Sequence, residues 1–363
     1  MSADPLPNHH IVSLKGYVPG EQPQGGGWIK LNTNENPYPP SPRVVDAIKK
    51  HLDTDGAALR LYPSPDSAPL RKAVAELHGY SVDQIVAGNG SDDILNLLVR
   101  AYADANRPMG MLDPSYSLYP VIAAIQGASV VKIPMSHDFS LDVAAIANSR
   151  TSIFFLTNPN APLGISFSVK MVEELAQAFS GILVVDEAYA DFAEEDCTRL
   201  PLKYPHVVVT RTLSKSYSLA GMRVGYALCS AHVAEILHRV RDSYNVDRLA
   251  QVAAVAALED RDWHSKNISK IKTTRTRLIT ELTQLGWKIN PSLGNFILAK
   301  PRSTSQDFSS ATAESAFNFL KERKILVRRF PNHPLTEKSL RITVGTDAEM
   351  DGFLKAARAW TEG

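Results

Sequence analysis

The chain has 363 residues, 44% hydrophobic and 21% charged, the make-up of an ordinary globular protein long enough for two domains. Its 39 basic and 38 acidic residues leave a formal net charge of +1, which argues against a nucleic-acid or membrane-surface partner, since both need concentrated positive charge. Two cysteines, Cys197 and Cys229, have neither metal-site nor disulfide spacing, and neither a signal peptide nor an apolar run of membrane length is visible, so the expected setting is the reducing cytoplasm without bound metal.

Residues 1–30 carry five glycines and four prolines with little apolar periodicity, which predicts an extended arm rather than a helix or strand. The segment Asn34-Glu35-Asn36-Pro37 follows, then Ser41 as cap of a helix opening on Pro42. Prolines 63 and 65 restrict the backbone around Tyr62 and hold its ring in a fixed direction, as suits a residue reaching across an interface.

Four short apolar strands each run into a polar turn. Residues 84–88 lead into Gly90, Ser91 and Asp92 and then a helical pattern; a glycine-serine turn at a helix start aims free amides and the positive dipole end at an anion. A second strand precedes Tyr116 and Tyr119. Residues 152–164 end in Asn158-Pro159-Asn160-Ala161-Pro162-Leu163-Gly164. Residues 181–189 end in Asp186 and Tyr189, and an acid closing a fully apolar strand is costly unless a buried cation meets it.

The most informative stretch is 207–226. A β-branched run, Val207 to Val209, leads to Thr212, Ser214, Lys215 and Arg223, where the carboxyl end of a strand in an open α/β sheet holds its ligand. Hydroxyls and a guanidinium bind phosphate oxygens through charge-assisted hydrogen bonds. A nearby cation and desolvation lower an amine's pKa and make it nucleophilic toward carbonyls. An aldehyde cofactor carrying its own phosphate, pyridoxal phosphate, fits both halves; a solvated basic loop is the competing reading.

Ser214-Lys215 followed by Gly221-Met222-Arg223-Val224-Gly225 resembles the lysine segment of the class I/II pyridoxal-phosphate aminotransferases. The motifs around Tyr17, Asn34, Tyr62, Tyr116, Asn158, Asp186 and Arg341 match in order and are most similar to the histidinol-phosphate branch. The resemblance implies fold type I: a large domain with a mostly parallel seven-stranded sheet between helices, plus a smaller α/β C-terminal domain. It implies that Lys215 bonds to the cofactor aldehyde and carries the Cα proton, that Asp186 meets the pyridine nitrogen, and that Tyr189 reaches the ring oxygen. Gly90, Ser91, Asp92, Thr212, Ser214 and Arg223 are implied to hold the phosphate end, Tyr116 to stack on the ring, and Tyr62 to touch the phosphate of a partner subunit in a homodimer. The family's ring-oxygen asparagine is replaced here by Ala161, so Asn158, Asn160 or a water takes its place.

Beyond Cys229 the pattern turns helical over 231–244, 246–259 and 262–285, and the boundary to a second domain is expected near 245, giving 31–245 and 246–363 after the arm. A further helix is expected over roughly 306–323. Two strands then carry Arg328 and Arg341 among apolar residues, 13 positions apart, and two guanidiniums suit a phosphate better than one carboxylate. Arg329 should face the opposite side as a solvated neighbour. With Tyr17 and Asn34, these arginines form the expected substrate pocket. The expected activity moves an amino group between histidinol phosphate, or a similar donor, and 2-oxoglutarate, in histidine biosynthesis. An aromatic aminotransferase, a threonine-phosphate decarboxylase and a non-catalytic pyridoxal-phosphate-binding regulator are the alternatives.

Overall fold

The computed structural model describes residues 6–303 and 307–363. Thirteen strands are named here in chain order: β1 Ile29–Lys30, β2 Ile85–Gly88, β3 Met109–Asp113, β4 Val130–Pro134, β5 Ile153–Thr157, β6 Ile182–Asp186, β7 Val207–Thr212, β8 Gly225–Leu228, β9 Lys288–Ile289, β10 Phe296–Lys300, β11 Ile325–Leu326, β12 Arg328–Arg329 and β13 Leu340–Thr343. Seven of them form one sheet in the order β2-β8-β7-β6-β5-β3-β4, in which β8 alone runs antiparallel to its neighbours.

The central strands open on apolar runs, at residues 153–156, 182–185 and 207–209, because both faces are covered, as parallel sheets require. Successive residues alternate between two cores: Phe154, Leu156, Leu183, Val185, Val207 and Val209 pack on one face. Ile153, Phe155, Val184 and Val208 pack on the other. The chain runs outward from β3 to β4 and then returns to β5 on the far side of β3. That reversal opens a crevice above the carboxyl ends of the strands, the usual ligand position in such sheets.

The second sheet, β12-β13-β10-β9, is antiparallel and shares a separate core with the helices Ser310–Glu322 and Asp347–Glu362. The 1–30 arm is not free of regular structure: a short helix forms at His9–Val12, and β1 pairs in parallel with β11, placing Leu31 in the second core. Helix Arg248–Glu259, past the boundary expected near 245, contributes Ala250, Ala253, Ala254 and Ala257 to the core of the large sheet. The helix expected over 306–323 spans Ser310–Glu322; Gln306 lies outside the described residues.

Candidate active site

A cleft of about 740 Å³ opens over the carboxyl ends of β3, β5, β6 and β7, whose last residues Asp113, Thr157, Asp186 and Thr212 all line it. Its floor on one side is an anion cradle. Gly90, at φ 84, precedes helix Ser91–Tyr102, and a Cβ there would lie 2.5 Å from Arg223 Nη2. Gly225 allows an equally close approach, since its Cβ would meet the Ser91 amide at 2.3 Å. The twelve-residue helix leaves its first-turn amides without intrahelical partners. Arg223 Nη1 donates to Ser214 Oγ at 3.2 Å and Nη2 to Asp92 Oδ2 at 3.4 Å. Thr212 Oγ1 accepts from the Ser214 amide at 3.2 Å, and both residues line the cleft with Arg223.

The acid and the amine sit above the middle strands. Asp186 is 2% exposed, and burial pushes its carboxyl up to about 6, against the lowering effect of the Tyr119 hydroxyl bonded to it. Lys215 Nζ donates to the Thr33 carbonyl at 3.0 Å; burial, then the positive Arg341, bring the amine down to about 8. Such an amine holds a far larger neutral fraction near neutrality than an ordinary lysine does, and the neutral amine is the state a nucleophile or base needs. Tyr189 OH accepts from Asn34 Nδ2 at 3.0 Å, and its ring centre lies 6.0 Å from Lys215 Nζ. Asn34 itself is fixed at φ 57, with Oδ1 accepting from Thr343 Oγ1 at 3.1 Å.

Side chains that sequence reasoning did not assign hold the lysine loop. Asn36 Nδ2 donates to the carbonyls of Lys215 and Ser216, at 3.1 and 3.0 Å. Ser216 Oγ donates to Asp191, which also meets Arg211 Nη1 at 2.8 Å. Arg211 is buried and reaches Glu187 at 2.8 Å and Asp196 at 3.1 Å. Burial alone would raise the Asp191 carboxyl, but Arg211 and His264 hold it well below the ordinary range. We expect Arg211→Leu to destabilise the fold by about 3–5 kcal/mol, because it strands buried carboxylates without their cation. A urea titration reads this directly, and a loss under about 1 kcal/mol would contradict it.

The opposite wall carries the arginines. Arg328 and Arg341 are direct cross-strand partners in β12 and β13, an arrangement that repels unless an anion lies between them. Arg341 Nη2 donates to the Asn32 carbonyl at 2.9 Å, while its buried Nε has no hydrogen-bond partner among the described residues. Arg328 donates to the Val18 and Pro19 carbonyls, at 3.3 and 3.2 Å, and so fixes the arm beside Tyr17. The Tyr17 ring meets Tyr116 edge-on at 6.0 Å, and both line the cleft. Arg329 is not the solvated neighbour expected: its side chain is 14% exposed, bonded to Ser310 and paired with Glu314 at 3.2 Å, because that face of β12 packs against helix Ser310–Glu322.

Tyr62, expected to reach the site of a partner subunit, lies outside its own cleft, and Asn158 and Asn160 do not line it. Tyr62 is 78% exposed and stacks on Tyr244 at 4.6 Å. Asn158 has its amide committed to its own loop, donating to the Phe167 carbonyl at 2.9 Å and accepting from the Phe167 amide at 2.8 Å. Asn160 donates to the Pro114 carbonyl at 3.2 Å and accepts from the Leu163 amide at 3.3 Å. Ala161 and Pro162 line the cleft in their stead. Tyr119, by contrast, had no expected role, yet its hydroxyl bonds Asp186; a tyrosine with a buried ring needs a partner for its polar tip, and that was the available signal.

The family model described as aminotransferase class I and II matches residues 26–356. A histidinol-phosphate aminotransferase of Geobacter sulfurreducens is 46% identical over 351 residues, covering 96% of this chain and 97% of that protein. One from Geotalea daltonii is 47% identical over 349 residues, with 96% and 97% covered. The crystal structure of histidinol-phosphate aminotransferase from Sinorhizobium meliloti in complex with pyridoxal-5'-phosphate superposes with a TM-score of 0.89 at 28% identity, over 99% of both chains. With a fold-type-I α/β architecture and this extent of match, the chain belongs to the class I and II aminotransferase family.

Proposed function

We propose that this protein is a pyridoxal-phosphate-dependent aminotransferase of histidine biosynthesis, moving the amino group of histidinol phosphate to 2-oxoglutarate. The observation that carries the choice of donor is the Arg328–Arg341 pair, two cross-strand guanidiniums facing the cleft that holds Lys215. The residues present fit the cofactor. The amides of Ser91 and Asp92, the hydroxyls of Thr212 and Ser214 and the Arg223 guanidinium suit its phosphate, in a cradle that a Cβ at Gly90 would fill. Asp186 is bonded by neutral hydroxyls from Tyr119 and Thr210, which leaves its charge to be met by a protonated ring nitrogen. Tyr116 supplies an aromatic face, and Tyr189, held by Asn34, a phenol for the ring oxygen.

When bound, pyridoxal phosphate supplies an aldehyde that links to amines and a protonated ring that accepts the electrons left when a substrate's Cα proton departs. The chain's own work is positioning and proton transfer. Lys215 Nζ, with its lowered pKa, takes up and returns the Cα proton, and Asn36 and Asp191 fix the loop that aims it. Asp186 keeps a negative charge against the ring. Arg328 and Arg341 grip the donor's phosphate through charge-assisted hydrogen bonds and so fix the reacting carbon near Nζ.

Removing one of those contacts tests the donor. Arg328→Met should lower kcat/KM for histidinol phosphate by about 10- to 100-fold, the worth of one charge-assisted hydrogen bond, through KM. Its effect on histidinol, which lacks the phosphate, should be slight; equal losses on both would contradict the clamp.

The same reading makes the protein a cytoplasmic homodimer in which Tyr62 of one copy reaches the cofactor phosphate held by the other. Its support is that Tyr62 is exposed and stands outside its own cleft. Sedimentation showing an active monomer would contradict it.

A further inference from the structure

We propose that Tyr119 is a positioning residue that keeps Asp186 ionised and aimed at the cofactor's ring nitrogen, as the last member of a hydroxyl relay running Ser115, Thr157, Tyr119, Asp186. The proposal rests on the cofactor reading above. Tyr119 is fully buried, and its hydroxyl lies 2.6 Å from Asp186 Oδ2 and 2.6 Å from Thr157 Oγ1, which in turn lies 3.0 Å from Ser115 Oγ. A phenol has one proton, and an ionised carboxylate can only accept. Tyr119 therefore donates to Asp186 and accepts from Thr157, whose own oxygen is left to accept from Ser115. Each donor in such a chain is polarised by the one behind it, which strengthens the terminal bond to the carboxylate.

The ring is fixed for this task. Tyr119 opens helix Tyr119–Ile125 and meets Phe155 of β5 edge-on at 4.8 Å, so its hydroxyl is delivered across the strand ends from within a core. It also meets Tyr116 edge-on at 5.5 Å, tying the aromatic face of the cleft to the same anchor. Asp186 needs the help: burial works to neutralise it, and its other side-chain hydroxyl contact, Thr210 Oγ1, is long at 3.4 Å. A tyrosine placed only for packing would be matched by phenylalanine.

The test uses the full-length protein loaded with pyridoxal phosphate carrying ¹⁵N in its ring. In the wild type the nitrogen resonance should report a protonated ring. In Tyr119→Phe it should move toward the unprotonated position, and the single-turnover rate constant with histidinol phosphate should fall about 10- to 100-fold, the range of one hydrogen bond to a charged group. The half-saturating concentration should stay unchanged, whereas damage to packing would raise it without moving the nitrogen. Thr157→Val, which removes the relay's middle hydroxyl, should shift the resonance the same way by less. A wild-type resonance in both variants would overturn the relay while leaving the cofactor assignment intact. An unprotonated nitrogen in the wild type, or no cofactor uptake, would overturn the proposal together with the reading beneath it.

Discussion

Lys215→Ala should bind pyridoxal phosphate and yet lose turnover by at least about 10²- to 10⁴-fold, the contribution of a placed acid-base group. The two effects separate because different parts of the chain carry them. The phosphate cradle is built from Ser91, Ser214 and Arg223, none of which depends on the lysine side chain. Lys215 Nζ makes its hydrogen bond to the Thr33 carbonyl, and losing that one contact should leave the fold intact. The loop stays in place because Asn36 bonds the backbone carbonyls of residues 215 and 216, which alanine retains. Equilibrium dialysis with the cofactor and a turnover assay check both halves, and wild-type turnover in the variant would remove Lys215 from the mechanism.

Asp186→Asn should slow single-turnover conversion of the donor by about 10²- to 10³-fold, the scale of losing one preorganised charge at a reacting group. The substitution keeps the shape and still accepts the Tyr119 hydroxyl, so the structural loss is small; what disappears is the charge facing the ring. Its half-saturating concentration should be little changed, because the donor is held by Arg328 and Arg341 on the other wall. A normal single-turnover rate would show that the carboxylate has no electronic role.

The acid and the amine were legible because Asp186 closes one strand and Lys215 lies in the loop just past the end of another, and the carboxyl ends of such strands hold the ligand in an open α/β sheet. Residues 182–186 and 207–212 are adjacent in the sheet, so Asp186 and Lys215 line one cleft once both strands are recognised. The arginine pair was legible for the same reason, as charges among apolar strand residues. Arg329 was misjudged because alternation says only that it faces away from Arg328, and the helix that covers that face lies elsewhere in the sequence. The sequence did not separate Asn158 from Asn160 because an amide can serve its own loop or a ligand with equal chemistry. Tyr119 finds its acceptor 67 residues downstream, a distance that no local pattern encodes. The two-residue pairing of β1 with β11 is too short to carry a period, and the alanine-rich helix Arg248–Glu259 could suit either core by composition.

The most direct test mixes the cofactor-loaded protein with histidinol phosphate, and separately with phenylalanine, and follows the change in cofactor absorbance over a single turnover. Rapid conversion at low concentrations of histidinol phosphate, with slow conversion by phenylalanine, is the predicted result. Preference for phenylalanine would contradict the paired-arginine clamp and make the protein an aromatic aminotransferase.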